Sequence, residues 1–175
     1  LPWGSDTLLT HACKTALKTR APHVAVILGA NAEKHSELLK SLSVDVAINS
    51  EWSTGMGSSI RTGVDYLMKK SPDLAAIVVM ACDQPFITTD HLTQLTEKFR
   101  KENSEIVATQ YADTFGVPVL FSSKYFGDLM ALPHATGARK IVETNLKRAT
   151  FVLFEEGKVD LDTPDDYAKF VNQQN

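Results

Sequence analysis

A carboxylate at the end of a buried apolar run is costly unless something pairs with it. Asp83 holds that position, just after Ala75-Ala76-Ile77-Val78-Val79-Met80. A divalent cation is one possible partner. Mg2+ takes one or two carboxylates, keeps waters, and leaves its other positions to phosphate oxygens. The same aspartate could instead cap a turn before Pro85. Asp160-Leu161-Asp162 places two carboxylates on one face if extended, which suits a second metal contact, although capping of a following helix by Asp162 or Thr163 also accounts for them. Gly55-Met56-Gly57-Ser58-Ser59 joins backbone freedom to a helix start, where N–H groups and the dipole attract phosphate or carboxylate; many such turns bind nothing. Arg61 could aid an anion there or be solvated. Arg139 stands in the first turn of a helix, against the dipole preference, and so serves an anion or is an ordinary surface residue. The five histidines have no paired spacing, which gives neither a zinc site nor a His-based triad.

These groups need a scaffold, and the periodicity supplies one. Residues 24–28, 44–48 and 74–81 read as apolar strands, the last buried on both faces as in a parallel sheet. Helices are expected after Ser5 or Asp6 as cap, over 32–41, from the 55–59 turn with Ile60, Val64, Leu67 and Met68 on one side, and from Thr88 as N-cap. The short connection between strands at 105–109 and 117–121 cannot hold a crossover helix and predicts antiparallel neighbours. Further helices are read at 122–130 and 136–146, a strand at 149–154, and a helix start at Thr163-Pro164-Asp165-Asp166. The alternation predicts an α/β fold with a mostly parallel sheet, whose ligands sit at the carboxyl ends of the strands. Asp83 should therefore face a cleft shared with residues 55–59 and 160–162.

The 175 residues, with 18 Lys+Arg against 21 Asp+Glu and a formal charge of −3, fit one domain spanning the chain. Scattered basic residues exclude the electrostatic footprint of a nucleic-acid or membrane-surface binder. No apolar run is long enough to span a bilayer and no signal peptide opens the chain, so a soluble cytoplasmic protein is expected. Cys13 and Cys82, with no metal-ligand spacing, read as reduced thiols.

The order of the motifs is more specific than any one of them. Leu1-Pro2-Trp3-Gly4, then Asn49-x-x-Trp52-x-x-Gly55-Met56-Gly57-Ser58-Ser59-Ile60-Arg61, then Cys82-Asp83-Gln84-Pro85-Phe86-Ile87, resembles the MobA-like nucleotidyltransferases, closest to their molybdenum cofactor cytidylyltransferase branch. Gly116-Val117-Pro118, Gly137-Ala138-Arg139 and Asp160-Leu161-Asp162-Thr163-Pro164-Asp165 follow in the same order. The resemblance implies a three-layer Rossmann-like fold with one antiparallel strand, and transfer of CMP from CTP to molybdopterin with release of pyrophosphate. It implies that Asp83 holds Mg2+ with Asp160 or Asp162 as second contact, and that Gly55, Gly57, Ser58, Ser59, Arg61, Gln84 and Arg139 face the substrates. A recipient molybdoenzyme is the implied partner.

Two departures bear on these expectations. The family's opening strand and its Leu-Ala-Ala-Gly-x-Ser-x-Arg-Met-Gly loop are absent, so a first strand and phosphate-binding loop are expected ahead of Leu1. At Leu132-Pro133-His134-Ala135-Thr136-Gly137, His134-Ala135 replaces the Gly-Asp that relatives usually carry. Two other readings therefore stand beside the first: a transferase for another nucleotide or acceptor, and a non-catalytic protein that holds and delivers the cofactor.

Overall fold

The computed structural model describes residues 1–155. A short hairpin of β1 (Pro2–Trp3) and β2 (Asp6–Thr7) leads into α1 (Leu8–Lys18), followed by β3 (Ala25–Leu28), α2 (Ala32–Leu39), β4 (Asp45–Ile48), α3 (Met56–Lys70), β5 (Ala76–Val79), α4 (Thr89–Glu102), β6 (Ile106–Tyr111), β7 (Thr114–Ser122), α5 (Phe126–Met130), α6 (Arg139–Thr144) and β8 (Ala149–Leu153). β3 and β4 pair in parallel. The larger sheet runs β5-β7-β6-β8, with β6 parallel to β8 and β7 antiparallel to both β5 and β6. One strand therefore runs against the others, and the mixed α/β architecture expected from the sequence is found. Among the described residues, β3 and β5 each have a strand neighbour on one side.

Helices cover both faces of the sheet. Ile106, Ala108, Val119 and Phe121 pack with Ile60, Val64, Phe126, Leu129, Ile141 and Val142 of α3, α5 and α6. The alternate residues Val107 and Leu120 pack with Leu92 and Leu95 of α4. β6 and β7 are thus the strands buried on both faces. The expectation for 74–81 holds in part: Ile77 and Val79 of β5 meet the first cluster and Ala76 and Val78 the second, but only Ile77 is buried, because one edge of β5 has no strand beside it among the described residues. The predicted hairpin at 105–121 is present, with Ala112 in the left-handed region at φ 47° in its turn.

Helix starts follow local chemistry. Thr88 caps α4, its side chain accepting from the His91 amide, as predicted. α1 is capped by Thr7 rather than Ser5 or Asp6, because Thr7 and Thr10 close a reciprocal capping box. α6 is shorter than the 136–146 expected, and the predicted 122–130 helix is a 3-10 turn, Ser123–Tyr125, followed by α5. Both cysteines are free thiols, and burial pushes that of Cys13 up to about 11. No described helix is long and apolar enough to cross a membrane. The predicted helix start at Thr163 lies outside the described residues.

His91 marks the sheet–α4 interface. It is 1% exposed, lies 4.5 Å from the Phe154 ring, and its Nε2 is 2.7 Å from Thr109 Oγ1. Since the Thr109 hydroxyl donates to the Pro118 carbonyl, His91 must donate from Nε2, leaving Nδ1 without a hydrogen-bond partner among the described residues. Burial pushes its pKa down to about 4. Between the ordinary value of about 6.5 and 4, the unfolded chain binds a proton that the folded one does not, so stability falls as the pH drops through this window. Urea midpoints measured from pH 7 to 4 are expected to decline less in His91→Gln, which keeps a donor for Thr109, than in the parent.

Candidate functional site

The carboxyl end of β4 is tied to the start of α3 by one buried side chain. Asn49, 3% exposed, donates from Nδ2 to Ser58 Oγ at 2.8 Å and Ser59 Oγ at 3.0 Å, and its Oδ1 accepts from the Glu51 amide at 2.9 Å. Ser58, itself 2% exposed, lies within donating distance of the Gly55 carbonyl at 2.8 Å and the Glu51 carbonyl at 3.1 Å. Its hydroxyl is thus committed to holding the turn, whereas half-buried Ser59 accepts from Asn49 and keeps its own proton to donate.

The two glycines of the turn answer a steric demand. The Gly57 amide donates to the His134 carbonyl at 2.8 Å, and a Cβ on Gly57 would lie 2.1 Å from the Pro133 carbonyl oxygen. Gly55, at φ 126°, leaves room for the same loop: its Cβ would lie 2.5 Å from the His134 carbonyl oxygen. At Gly57 the start of α3 therefore receives a protein carbonyl. Arg61 completes the clasp, with Nη1 donating to the Leu132 carbonyl, and Nη2 3.8 Å from Glu51 Oε2 and beside the His134 ring. The expected turn is present, but Gly57 and Arg61 act on loop 132–136, while Ser58 holds the turn itself. What the sequence missed here is this partner, which lies some eighty positions further along the chain.

Asp83, half-buried, follows β5 in the loop that leads to α4. Neighbouring side chains fix that loop from two directions. On one side His11 of α1 has Nε2 3.0 Å from the Pro85 carbonyl, and Trp3 meets the Phe86 ring edge-on at 5.6 Å. On the other, buried Gln84 donates from Nε2 to the Tyr111 hydroxyl at 3.2 Å, and Tyr111 donates to the Val117 carbonyl. Trp3 lies in the Leu1–Gly4 motif, whereas His11 and Tyr111 carry no local motif that would have singled them out.

Arg139 is the first residue of α6. It pairs with Glu143 at 3.0 Å, and its guanidinium lies 5.1 Å from the centre of the Phe115 ring. Asp160 and Asp162 lie outside the described residues. At the amino end of β6, Glu105 is held down to about 2 by hydrogen bonds from Lys124 and Arg148. A depression of about 400 Å3 lined by residues 143–148 lies just before β8, which runs parallel to β6. Both features belong to the end of the sheet opposite Asp83.

Among the described residues, no three His, Cys, Asp or Glu side chains cluster as metal ligands. A carboxylate such as Asp83 nevertheless suits a hard cation that draws its other ligands from water and phosphate, as Mg2+ does.

Parallel strands ending in an acidic loop and a glycine turn, covered by helices on both faces, define a Rossmann-like nucleotidyltransferase fold. Residues 1–149 match the MobA-like NTP transferase domain, and the chain belongs to that family. It is 28% identical over 184 residues to the purine catabolism protein PucB of Bacillus subtilis strain 168, covering 95% of this chain and 84% of PucB. In structure it is similar to Rv0371c of Mycobacterium tuberculosis H37Rv, solved as a manganese complex: TM-score 0.82, 25% identity, 98% of this chain and 89% of that one. The molybdopterin-guanine dinucleotide biosynthesis protein A of Archaeoglobus fulgidus shares the fold, with TM-score 0.65 and 15% identity over 100% of this chain and 90% of the other.

Gly57→Ala should force loop 132–136 off α3, because the clash is with a backbone carbonyl. An overpacking cost of roughly 1–3 kcal/mol is expected, read as a lower urea midpoint. Unchanged stability would show that the loop can yield.

Proposed function

We propose that the protein transfers CMP from CTP to the terminal phosphate of molybdopterin. An acceptor phosphate oxygen attacks the α-phosphorus, the bond to the bridging oxygen breaks, and pyrophosphate leaves. The observation that carries this reading is Asp83 in the loop after β5, in a chain of the MobA-like family. Asp83 would hold Mg2+, with Asp160 or Asp162 as second contact; when bound, the ion supplies charge neutralisation for the triphosphate.

The chain's own residues do the positioning. Gln84 fixes the backbone beside Asp83 through Tyr111, so the carboxylate meets the triphosphate at a set angle. Ser59 offers its hydroxyl proton to an anionic oxygen, while Gly55, Gly57, Ser58 and Arg61 shape the wall behind it. Arg139, more than half exposed beside Glu143, is the residue assigned to the acceptor. An ionised phosphate needs no general base, so orientation and electrostatics supply the catalysis. A recipient molybdoenzyme then takes the dinucleotide form of the cofactor. A related transfer with another nucleotide or acceptor is the second reading, favoured by similarity to PucB, a protein of purine catabolism by name.

Pyrophosphate release measured with each of the four NTPs, with molybdopterin as acceptor, tests the reading, and CTP should be preferred. Asp83→Asn should lower turnover by at least the roughly 10- to 100-fold seen when even the outer shell of a metal site is altered, with its thermal midpoint near the parent's. Equal activity of mutant and parent at limiting Mg2+ would overturn the assignment of Asp83.

A further inference from the structure

His134 is exposed, yet its ring is held in place. Its Nδ1 lies 2.6 Å from Thr54 Oγ1, and Thr54 donates its own hydroxyl proton to the Glu51 carbonyl at 2.7 Å. The hydroxyl has one proton, so Nδ1–H is the donor to Thr54, and in the neutral ring the lone pair sits on Nε2. Arg61 Nη2 lies 3.2 Å from Nδ1 and 3.4 Å from Nε2. A nitrogen so nearly equidistant from both would collide with the carbon between them if it lay in the ring plane. It must lie over the ring face, where it stacks and leaves the in-plane lone pair of Nε2 pointing away from the clasp.

Three carbonyls of this loop are spent within the protein: that of Leu132 accepts from Arg61, that of Pro133 from the Thr136 amide, and that of His134 from the Gly57 amide. In the neutral ring, Nε2 of exposed His134 is thus an acceptor turned away from the clasp. The adjoining segments carry two exposed apolar side chains. Trp52, 48% exposed, is in the same 3-10 turn as Thr54, and Met56, 63% exposed, has its sulfur against Gly137 at the end of the His134 loop.

With an exposed indole and a thioether on the adjoining segments, an acceptor atom there suits a flat heterocycle that presents an N–H edge. A phosphate, which at neutral pH offers mainly acceptor oxygens, would leave it unpaired. We propose that His134 reads the heterocycle of the acceptor substrate through Nε2, with Thr54 and Arg61 as positioning residues. This assignment rests on the transferase reading above, in which the heterocycle is a pterin.

Two substitutions separate the ring nitrogens. His134→Asn keeps a donor near Nδ1 for Thr54 and deletes Nε2, whereas His134→Gln reaches the Nε2 position with a carbonyl oxygen. Molybdopterin binding, followed by pterin fluorescence, and the KM for CTP are measured in each. The expected result is an H134N protein with the parent's thermal midpoint, acceptor binding weaker by about tenfold, the loss of one hydrogen bond, and a CTP KM within about twofold of the parent's; H134Q should recover part of the binding. If H134N binds pterin as the parent does, or CTP and pterin weaken together, the His134 assignment is overturned while the transferase reading stands. A parent that binds no pterin overturns both.

Discussion

The contact on which the site depends is one backbone hydrogen bond made where no side chain fits: the Gly57 amide on the His134 carbonyl at 2.8 Å. It brings a loop from late in the chain against the first turn of α3, at the end of the sheet where β4 finishes. Around it, Asn49 fastens the turn to the strand, Ser58 braces it from below, and Arg61 reaches over to hold Leu132. The result is a rigid wall built of atoms whose hydrogen bonds are satisfied within the protein. Such preorganisation matters in nucleotidyl transfer, because little covalent chemistry falls to the protein and most of the barrier is lowered by placement and charge.

The acidic side of the site is built on the same principle. Asp83 is carried on a loop whose neighbours, Gln84, Pro85 and Phe86, are pinned by Tyr111, His11 and Trp3 respectively. The core of the sheet lies in β6 and β7, buried on both faces. At the opposite end, the Glu105 ion-pair cluster braces the strand starts.

Much of the architecture was legible in periodicity alone. Thr88 as a cap, the antiparallel pair around 105–121 and the order of strands and helices follow from local rules of capping, loop length and apolar spacing. Where the reading departed from the structure, the cause was tertiary. β5 looked like the most buried strand because its composition is the most apolar, but burial depends on neighbours, and the strands that have them on both edges are β6 and β7. The glycine turn read as an anion cradle because free amides at a helix start attract anions; that Gly57's amide meets a protein carbonyl is invisible without the fold. The ring of His134, flagged only as a replacement, owes its fixed orientation to Thr54 and Arg61, which come from two other segments.

The central claim is transfer of a nucleotidyl group, and the fate of the phosphorus atoms tests it most directly. The full chain is incubated with Mg2+, molybdopterin and CTP labelled at either the α- or the γ-phosphorus, and the products are separated. The account predicts the α label on the pterin-bearing product and the γ label in pyrophosphate, in equal amounts. Release of the α label as free CMP, with none on the acceptor, or no cleavage of CTP, would contradict it.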